Sequence, residues 1–468
     1  MWKHGIHAFL ELLRHRLPAS LEHMLTFIYL AYSMMALLYE TVPAFEATWM
    51  ECLGDLGRYR MAIEDDDVRD REVWTAVSRR WYSKASDVVP GTGRLYHHLA
   101  ILARPNVLQQ LYFYSKALSA PEPFFAALES IMTLFDPLLG SNNQQSPHGL
   151  LFTGKTGSEY QTAVAEFVNN LDNHISRTTR RWMECGYFIA ISNCCALLLW
   201  GKNSFIYQTI RPKRLKESVE EFNTREILDP SDQRNAKRLE EARHLAEGTF
   251  SKVFPRFADP NILPFLHSTL VFYRFMISYP SAMDLLEATF PWKMVSMLLN
   301  SLLPSCREYE RIQSSDFPRP VKQLPRPLPE DFALRGLLWA EKYYPSDWFS
   351  NDKIDDDEKY FEVASMTDER KERVLWLGVS IAQHGKWLLY DDKLHHFSVP
   401  SRFEQEIDIN MNFDTELMAS TPEADTLSRA STLALSSPGD KAMSEAEKDD
   451  EDMPDIDDFM TRQPIIRQ

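Results

Sequence analysis

Apolar residues recur along most of this chain at the three- and four-residue spacing that places them on one face of a helix. Leu10, Leu13 and Leu17 share one face of the first predicted helix. Ser20 stands where it caps a second helix that continues to about Tyr39. The remaining helices predicted in the first 136 residues are 44–63, 71–86, 93–103, 107–118 and 124–135.

Residues 137–157 interrupt this pattern, because Asn, Gln, Ser and Gly are frequent there, and we predict a long loop. A second helical block follows over residues 158–402. Its predicted helices are 161–182, 184–200, 232–254, 261–277, 291–303, 329–341 and 367–390. Five prolines between Ser314 and Pro329 predict an extended segment. The sequence shows no alternation of strands and helices, so we predict an all-α fold in which residues 1–136 and 158–402 form two helical domains.

Two apolar runs, residues 24–39 and 187–200, require comparison with membrane-spanning helices. A span needs about 20 mostly apolar residues, and both runs are shorter and contain polar residues. We therefore predict two buried core helices and no membrane partner. Lys3, His4 and Glu11 also interrupt the apolar core that an N-terminal signal peptide needs.

The net charge of −16 is concentrated towards the C-terminus. Residues 403–468 contain 17 acidic and 5 basic residues, a net charge of −12, and are rich in Ser and Thr. This composition predicts a disordered acidic tail. The other 402 residues carry a net charge of −4, so the acidic balance does not argue against phosphate or nucleic-acid binding by the folded part.

The five cysteines, at positions 52, 185, 194, 195 and 306, are odd in number and form no Cys-x-x-Cys pair. This pattern favours a reducing compartment, the cytosol or the nucleus. Cys194 and Cys195 lie in an apolar run, so we predict buried thiols rather than zinc ligands. We therefore predict no metal site and no cofactor.

A repeat signal lies near residue 80. Ser78, Tyr82, Ala85 and Pro90 follow the offsets of the second helix of a tetratricopeptide unit, and residues 96–100 resemble the start of the next unit. Small residues let two helices approach closely, while aromatic residues fill the gap between units. The alternative is a generic antiparallel pair of helices.

Five short segments add more specific information. Residues 52–60 read Cys-Leu-Gly-Asp-Leu-Gly-Arg-Tyr-Arg, and residues 328–336 read Leu-Pro-Glu-Asp-Phe-Ala-Leu-Arg-Gly. The three segments between them are 81–85, 93–103 and 111–118. In this order they resemble the LGD-x-x-RYR helix, the repeat region and the LPED-x-x-LRG segment of one adaptor family. That family comprises the Ever-Shorter-Telomeres telomerase regulators and their relatives in nonsense-mediated mRNA decay, and the resemblance covers about residues 1–345.

The resemblance implies a 14-3-3-like domain of tetratricopeptide units followed by a helical-hairpin domain of DNA/RNA-binding type. It implies a non-enzymatic adaptor whose first domain binds phosphorylated protein partners. Arg58 and Tyr59 match the family's phosphate-binding helix, whereas His7 and His97 replace its lysine and asparagine. The alternative is therefore a tetratricopeptide scaffold without phosphate recognition. The family usually has more chain before its first helix, so we expect an N-terminal truncation.

The family also associates with RNA or telomeric DNA. The clustered cations that could contact phosphates are Lys202, Arg211, Lys213, Arg214 and Lys216, with a second group at Arg177, Arg180 and Arg181. Trp182 or Tyr207 could stack on bases. A nuclear-localisation run and a solvated charged helix face are the alternatives. The predicted role lies in mRNA decay or telomerase regulation, in the nucleus, the cytoplasm or both.

One segment also fits a sequence motif of nucleotide-binding enzymes. Residues 149–156 fit the phosphate-binding pattern Gly-x4-Gly-Lys-Ser/Thr, with Lys155 as its cation. Such a loop must follow a buried strand, yet residues 141–148 are polar. Residues 387–391 resemble an apolar strand that ends in a metal-binding Asp391. We predict no catalytic residues, and a nucleotide hydrolase remains the least favoured alternative.

Overall fold

A computed structural model describes most of the chain. The described residues are 1–64, 67–140, 145–155, 157–201, 204–211, 233–257, 259–320, 324–351, 354 and 358–404. Helices follow one another throughout this part, with one two-stranded antiparallel sheet in it. The all-α prediction is therefore confirmed, while the predicted acidic tail lies outside the described residues from position 405 onward.

The helices agree with most of the predicted segments. Up to residue 197 they are α1 (Ala8–Arg14), α2 (Leu21–Thr41), α3 (Glu46–Ala62), α4 (Val68–Val88), α5 (Gly93–Leu102), α6 (Val107–Ser119), α7 (Ala127–Ser130), α8 (Met132–Leu139), α9 (Pro147–Thr153), α10 (Ser158–Thr178) and α11 (Trp182–Leu197). Beyond it they are α12 (Phe205–Ile210), α13 (Gln233–Val253), α14 (Leu263–Met276), α15 (Pro280–Leu286), α16 (Trp292–Leu302), α17 (Tyr309–Gln313), α18 (Pro329–Leu334) and α19 (Met366–Ala382).

Short elements complete the architecture. A π-helical turn covers Trp2–His7. The 3₁₀ turns are Pro43–Phe45, Thr179–Arg181, Leu199–Gly201, Pro260–Ile262, Leu303–Ser305, Leu338–Ala340 and Ser401–Phe403. Strand β1 (Leu389–Asp391) pairs with β2 (His396–Ser398) in antiparallel register. The predicted helix 367–390 therefore ends early at Ala382 and gives way to a hairpin.

The predicted loop 137–157 contains a helix, α9. Ser146 begins it, because its Oγ accepts a hydrogen bond from Gly149 N at 3.3 Å, and Pro147 occupies the first turn. Gly154 ends it with a φ of +71°, a conformation that glycine adopts without strain. Turn-forming residues at both ends concealed this short helix in the sequence pattern.

The described residues divide into two compact units, 1–78 and 79–404, and the division falls within α4. The domain boundary predicted at 137–157 stays a prediction. Helix α6 packs against α11, so residues on both sides of that predicted boundary share one core.

The first unit is built around α3, which contacts α2. A hydrogen bond from Ser78 Oγ to Gly54 O at 3.0 Å joins α4 to α3, and a Cβ at Gly57 would come within 2.6 Å of the same Oγ. Small residues therefore permit this close helix contact, as the repeat signal predicted.

Helix α2 does not form the buried core helix that its apolar run predicted. Met24, Ile28, Ala31 and Met35 are buried on one face, but Leu30 is 64% exposed on the opposite one. Among the described residues, α2 is the one helix long and apolar enough to cross a membrane. The prediction of burial failed because α1 and α3 cover only part of its circumference.

The second unit is centred on α11, which contains most of the other apolar run. This helix contacts α6, α13 and α14, and residues 186–197 are buried throughout. Cys194 and Cys195 are free and buried as predicted, and burial raises the pKa of the Cys195 thiol to about 12.

The segment around α18 docks onto the repeat helices of the second unit. Tyr112 Oη donates to Ala333 O at 3.0 Å, although the two residues are 221 positions apart, and Lys116 Nζ donates to the same oxygen at 2.8 Å. A Cβ at Gly336 would lie 2.0 Å from Pro90 O. Several of the segments that resemble the adaptor family therefore meet here as structural contacts.

Candidate nucleic-acid interface

The predicted phosphate-binding residues of α3 are part of the core. Arg58 is only 2% exposed, and its Nη2 lies 3.3 Å from Asp55 Oδ1. Tyr59 is buried and donates from Oη to Glu11 Oε1 at 2.6 Å. Burial and the Glu11 carboxylate raise the pKa of Tyr59 well above its usual value. Both side chains are thus engaged within the protein instead of facing an open groove.

His7 and His97, which replace the lysine and asparagine of the family, are also buried. The His7 ring meets the Tyr59 ring edge-on, with centroids 6.2 Å apart. His97 belongs to the second unit, where its ring packs against two aromatic rings. The ring centroids are 4.9 Å apart for Phe124 and 5.8 Å apart for Tyr114. The structure therefore brings His7 to Tyr59 inside the first unit but exposes neither histidine to a ligand.

The first of the two predicted cation groups lies mostly outside the described residues. Lys202, Lys213, Arg214 and Lys216 lie outside the described residues. Arg211, which is described, is buried, so its guanidinium does not contribute to an open cationic surface. Its predicted role in nucleic-acid binding stays a prediction.

The second cation group is exposed. Arg177 lies in the last turn of α10, while Arg180 and Arg181 lie in the 3₁₀ turn before α11, and all three are accessible. Thr179 has a φ of +44°, a strained value for a residue with a branched side chain. The sharp turn places three guanidinium groups, which match phosphate oxygens, at one end of two helices. We call these three residues the arginine turn.

The predicted stacking residues are not available to bases. Trp182 and Tyr207 are both fully buried, because each begins or forms part of a helix whose apolar face enters the core. Exposed aromatic side chains occur elsewhere in the second unit, at Tyr360 and Phe361. Sequence reasoning missed this pair. Its only signal was two adjacent aromatic residues, in a charged segment without helical periodicity.

The nucleotide-binding alternative loses its structural context. Residues 150–153 belong to α9 and are mostly buried, so their backbone N–H groups are not arranged as a loop around a phosphate. Asp391 Oδ1 accepts hydrogen bonds from the N–H groups of Lys393 and Leu394 in the hairpin turn. Within the described part of the chain, no group of three or more His, Cys, Asp or Glu side chains could hold a metal ion.

Comparisons with known proteins match the segment of the chain that contains the arginine turn. Residues 78–197 match the family model of the Est1 DNA/RNA binding domain. The resemblance to the Ever-Shorter-Telomeres and mRNA-decay adaptor family is confirmed. The matched segment begins in α4 and ends with α11, so it contains the arginine turn.

Individual relatives match over short stretches. Telomerase-binding protein EST1A of Danio rerio is 36% identical over 89 residues, 19% of this chain and 5% of the relative. Nonsense-mediated mRNA decay factor SMG7 of Arabidopsis thaliana is 31% identical over 112 residues, 24% of this chain and 10% of the relative. EST/SMG-like protein 2 of Saccharomyces cerevisiae is 23% identical over 141 residues, 29% of this chain and 11% of the relative.

A solved structure extends the likeness to most of the fold. A chain from a structure titled "Crystal structure of Est1 and Cdc13" matches with a TM-score of 0.58 and 13% sequence identity. The match covers 86% of this chain and 90% of that chain. At this identity the match establishes a common fold and no shared ligand.

Proposed function

We propose that this protein is a non-enzymatic adaptor that binds RNA or telomeric DNA through its second unit, in nonsense-mediated mRNA decay or telomerase regulation. The observation that carries the proposal is the match of residues 78–197 to the Est1 DNA/RNA binding domain. The exposed arginine turn lies inside this segment and provides cations without competing burial. Work in the nucleus, the cytoplasm or both is part of the same proposal.

Binding of labelled nucleic acid tests the proposal. We would titrate a fluorescein-labelled 20-nucleotide oligouridine, and a single-stranded G-rich DNA of equal length, with the full chain and follow anisotropy. Replacing Arg177, Arg180 and Arg181 with Ala should weaken binding at least about tenfold at 0.1 M salt, because three phosphate contacts and their released counterions are lost. The slope of log K against log salt should fall by about 2.

A matched variant separates a specific site from loss of net charge. Lys3, Arg16 and Arg69 are exposed cations of the first unit, and replacing all three with Ala changes the net charge by the same amount. This control should bind like the wild type. Equal weakening in both variants, or no binding by the wild-type protein, would refute the assignment of the interface.

For protein partners, we favour a scaffold that recognises them through packing over one that reads phosphate. Arg58 is buried beside Asp55, and Tyr59 already donates to Glu11. A phosphate would have to replace these contacts and reach a buried guanidinium. Titration of a phosphopeptide library against the wild type and Arg58→Ala tests the choice. Tight phosphate-dependent binding that Arg58→Ala abolishes, in a variant that still folds, would restore phosphate recognition.

A further inference from the structure

Three hydroxyl side chains lie within or beside the arginine turn, and two of them are engaged with the backbone of α10. Ser176 Oγ donates to Asp172 O at 3.0 Å, and Thr178 Oγ1 donates to His174 O at 2.8 Å. Thr179 is exposed, and its Oγ1 has no hydrogen-bond partner in the described part of the chain. An exposed hydroxyl without a partner can accept a phosphoryl group, so Thr179 is the candidate acceptor of this turn.

The backbone at Thr179 is no longer helical. Thr179 ends α10 with a φ of +44° and a ψ of −110°, and it begins the 3₁₀ turn that precedes α11. A residue between two helices reaches the cleft of an enzyme by opening a single turn, whereas a residue inside a helix requires the helix to unwind. The positive φ of a branched residue lowers the cost of that opening, because the strain is then released.

Arginine residues flank Thr179 on both sides in the sequence. Arg177 stands two residues before it, and Arg180 and Arg181 stand one and two residues after it. The carboxylates of an enzyme bind guanidinium groups through short, charge-assisted hydrogen bonds. This sequence therefore fits a Ser/Thr kinase that selects arginine close to its acceptor.

The same arginines are suited to hold the phosphate once it is attached. Arg177 and Arg181 form no ion pair within the described residues, although Glu184 lies within electrostatic range of Arg181. Arg180 donates from Nη2 to a neutral acceptor, Glu362 O, at 2.5 Å. A phosphothreonine carries a charge of about −1.5 to −2 and three acceptor oxygens. It therefore supplies these guanidinium groups with the anion that they otherwise find in nucleic acid.

We propose that Thr179 is a phosphorylation site for an arginine-directed Ser/Thr kinase, and that its phosphate binds the arginine turn and prevents nucleic-acid binding there. The second part rests on the proposed function. In the transfer, Thr179 Oγ1 attacks the γ-phosphorus of ATP, the bond from that phosphorus to the β-phosphate oxygen breaks, and ADP leaves. The hydroxyl proton passes to the catalytic base of the kinase. A tethered phosphate competes at a high effective concentration with phosphates that must arrive from solution.

The first experiment asks whether the folded chain is a kinase substrate. A kinase that selects arginine two residues before and two residues after its acceptor is given ATP with the full chain or with a synthetic peptide of residues 173–185. Tandem mass spectrometry should locate phosphate on Thr179 in both. Thr179→Ser should also be modified at this position, and Thr179→Ala should not. Modification of the peptide alone would show that the fold withholds the hydroxyl, and modification of neither would remove the sequence basis, so either result refutes the site.

The second experiment measures binding of the labelled oligouridine by anisotropy. The phosphorylated full chain should bind at least about tenfold more weakly than the unmodified chain at 0.1 M salt, and phosphatase treatment should restore the affinity. The slope of log K against log salt should fall by about 2, as in the triple arginine variant. Thr179→Ala should bind like the wild type before and after kinase treatment, which controls for phosphate attached elsewhere in the chain.

A matched pair of variants separates charge from side-chain shape. Thr179→Glu adds one negative charge beside the arginine turn and should weaken oligouridine binding by about threefold or more. Thr179→Gln has nearly the same shape without the charge and should bind within about twofold of the wild type. Equal weakening by both variants would assign the effect to the altered turn and refute the charge mechanism. Thermal unfolding verifies that both variants keep the fold.

Phosphorus NMR distinguishes this inference from the function on which it rests. In the phosphorylated chain, the pKa of phosphothreonine 179 should lie below its usual value of about 6, because guanidinium groups stabilise the dianion, and urea should return it to that value. The spectrum of kinase-treated Thr179→Ala identifies the resonance. An equal pKa in native and unfolded protein would refute capture of the phosphate by the arginine turn.

The combined outcomes separate the two proposals. If the unmodified chain binds oligouridine and the phosphorylated chain binds it equally well, control of binding by Thr179 is refuted while nucleic-acid binding stands. If the unmodified chain binds neither the oligouridine nor the G-rich strand, the proposed function fails and its control fails with it. A lowered phosphothreonine pKa would then still support the modification site and its capture by the arginine turn.

Discussion

Helices α2 and α11 contain apolar runs of similar composition, yet they occupy opposite environments. Residues 186–197 of α11 are buried on all sides, because α6, α13 and α14 surround the helix. In α2 only 22% of the most apolar window is buried. The comparison shows that hydrophobicity determines which residues can be buried, whereas the number of neighbouring elements determines which of them are.

The largest effect is expected from a matched charge substitution in the two helices. Leu197 is fully buried in α11, and Leu30 is 64% exposed in α2. Leu197→Asp should prevent folding of the second unit, because an unpaired buried carboxylate costs several kcal/mol, a large part of a total stability of about 5–15 kcal/mol. Leu30→Asp should change the free energy of unfolding by about 0.5 kcal/mol or less.

The milder pair Leu197→Ala and Leu30→Ala makes the difference measurable by urea unfolding. The first should cost about 2–5 kcal/mol and the second close to nothing. Equal losses at the two positions would mean that α2 is covered as fully as α11 is. The proposed difference in burial between the two helices would then be refuted.

A buried ionic network in the second unit should give the next largest effect. Glu330 and Arg370 are fully buried, with Glu330 Oε1 2.6 Å from Arg370 Nε and 3.0 Å from His267 Nδ1. Glu330→Gln should cost about 3–5 kcal/mol, because it removes the fully buried carboxylate that pairs with the guanidinium and leaves Glu362, 2.6 Å from Arg370 Nη2, as the remaining charge partner. Glu404→Gln, which breaks an exposed pair with Lys293 at 2.7 Å, should cost about 1 kcal/mol or less.

The pH dependence of the free energy of unfolding provides a second test of this network. Burial alone would raise the pKa of Glu330, but Arg370 and His267 hold that pKa well below its usual range. A depressed folded-state pKa stabilises the protein above the unfolded-state value of about 4.3, and this stabilisation is lost as pH falls below it. Wild type and Glu330→Gln should therefore approach equal stability in acid. A constant gap from pH 7 to pH 3 would contradict the assignment.

An intermediate effect is expected in the first unit from Tyr59→Phe. The hydroxyl donates to Glu11, which also pairs with Arg14 at 2.5 Å. Removing a hydrogen bond to a charged group should cost about 1.5–3 kcal/mol of unfolding free energy, with little effect on binding of a phosphopeptide. The opposite result, normal stability with lost phosphopeptide affinity, would make Tyr59 a ligand-binding residue instead of a core residue.

The sequence predicted the helices well, because their periodicity is local. It also led to the family, since the segments around residues 52–60 and 328–336 are distinctive. It did not predict the burial of Arg58, because the same motif is expected whether an arginine faces a groove or a core. It missed Tyr360 and Phe361, since their exposure depends on where Arg180 and Asp87, far away in sequence, fix the chain. Burial and juxtaposition are tertiary properties, and local patterns do not encode them.

The smallest effect is predicted for two serines of α2, one at the start of the helix and one on its exposed face. Ser20, at the start of the helix, is buried and donates from Oγ to Leu13 O of α1, although its side chain forms no cap bond to α2. Ser33 is exposed on the same helix and donates to Tyr29 O at 2.9 Å. Ser20→Ala should cost about 0.5–1.5 kcal/mol, and more if Leu13 O stays unsatisfied. Ser33→Ala should cost almost nothing, because water replaces its bond and Ala favours the helix. Urea unfolding of both variants measures the difference. An equal cost would show that the outer face of α2 is as well shielded from water as the face against α1, and that the exposed apolar side chains along it are covered in solution.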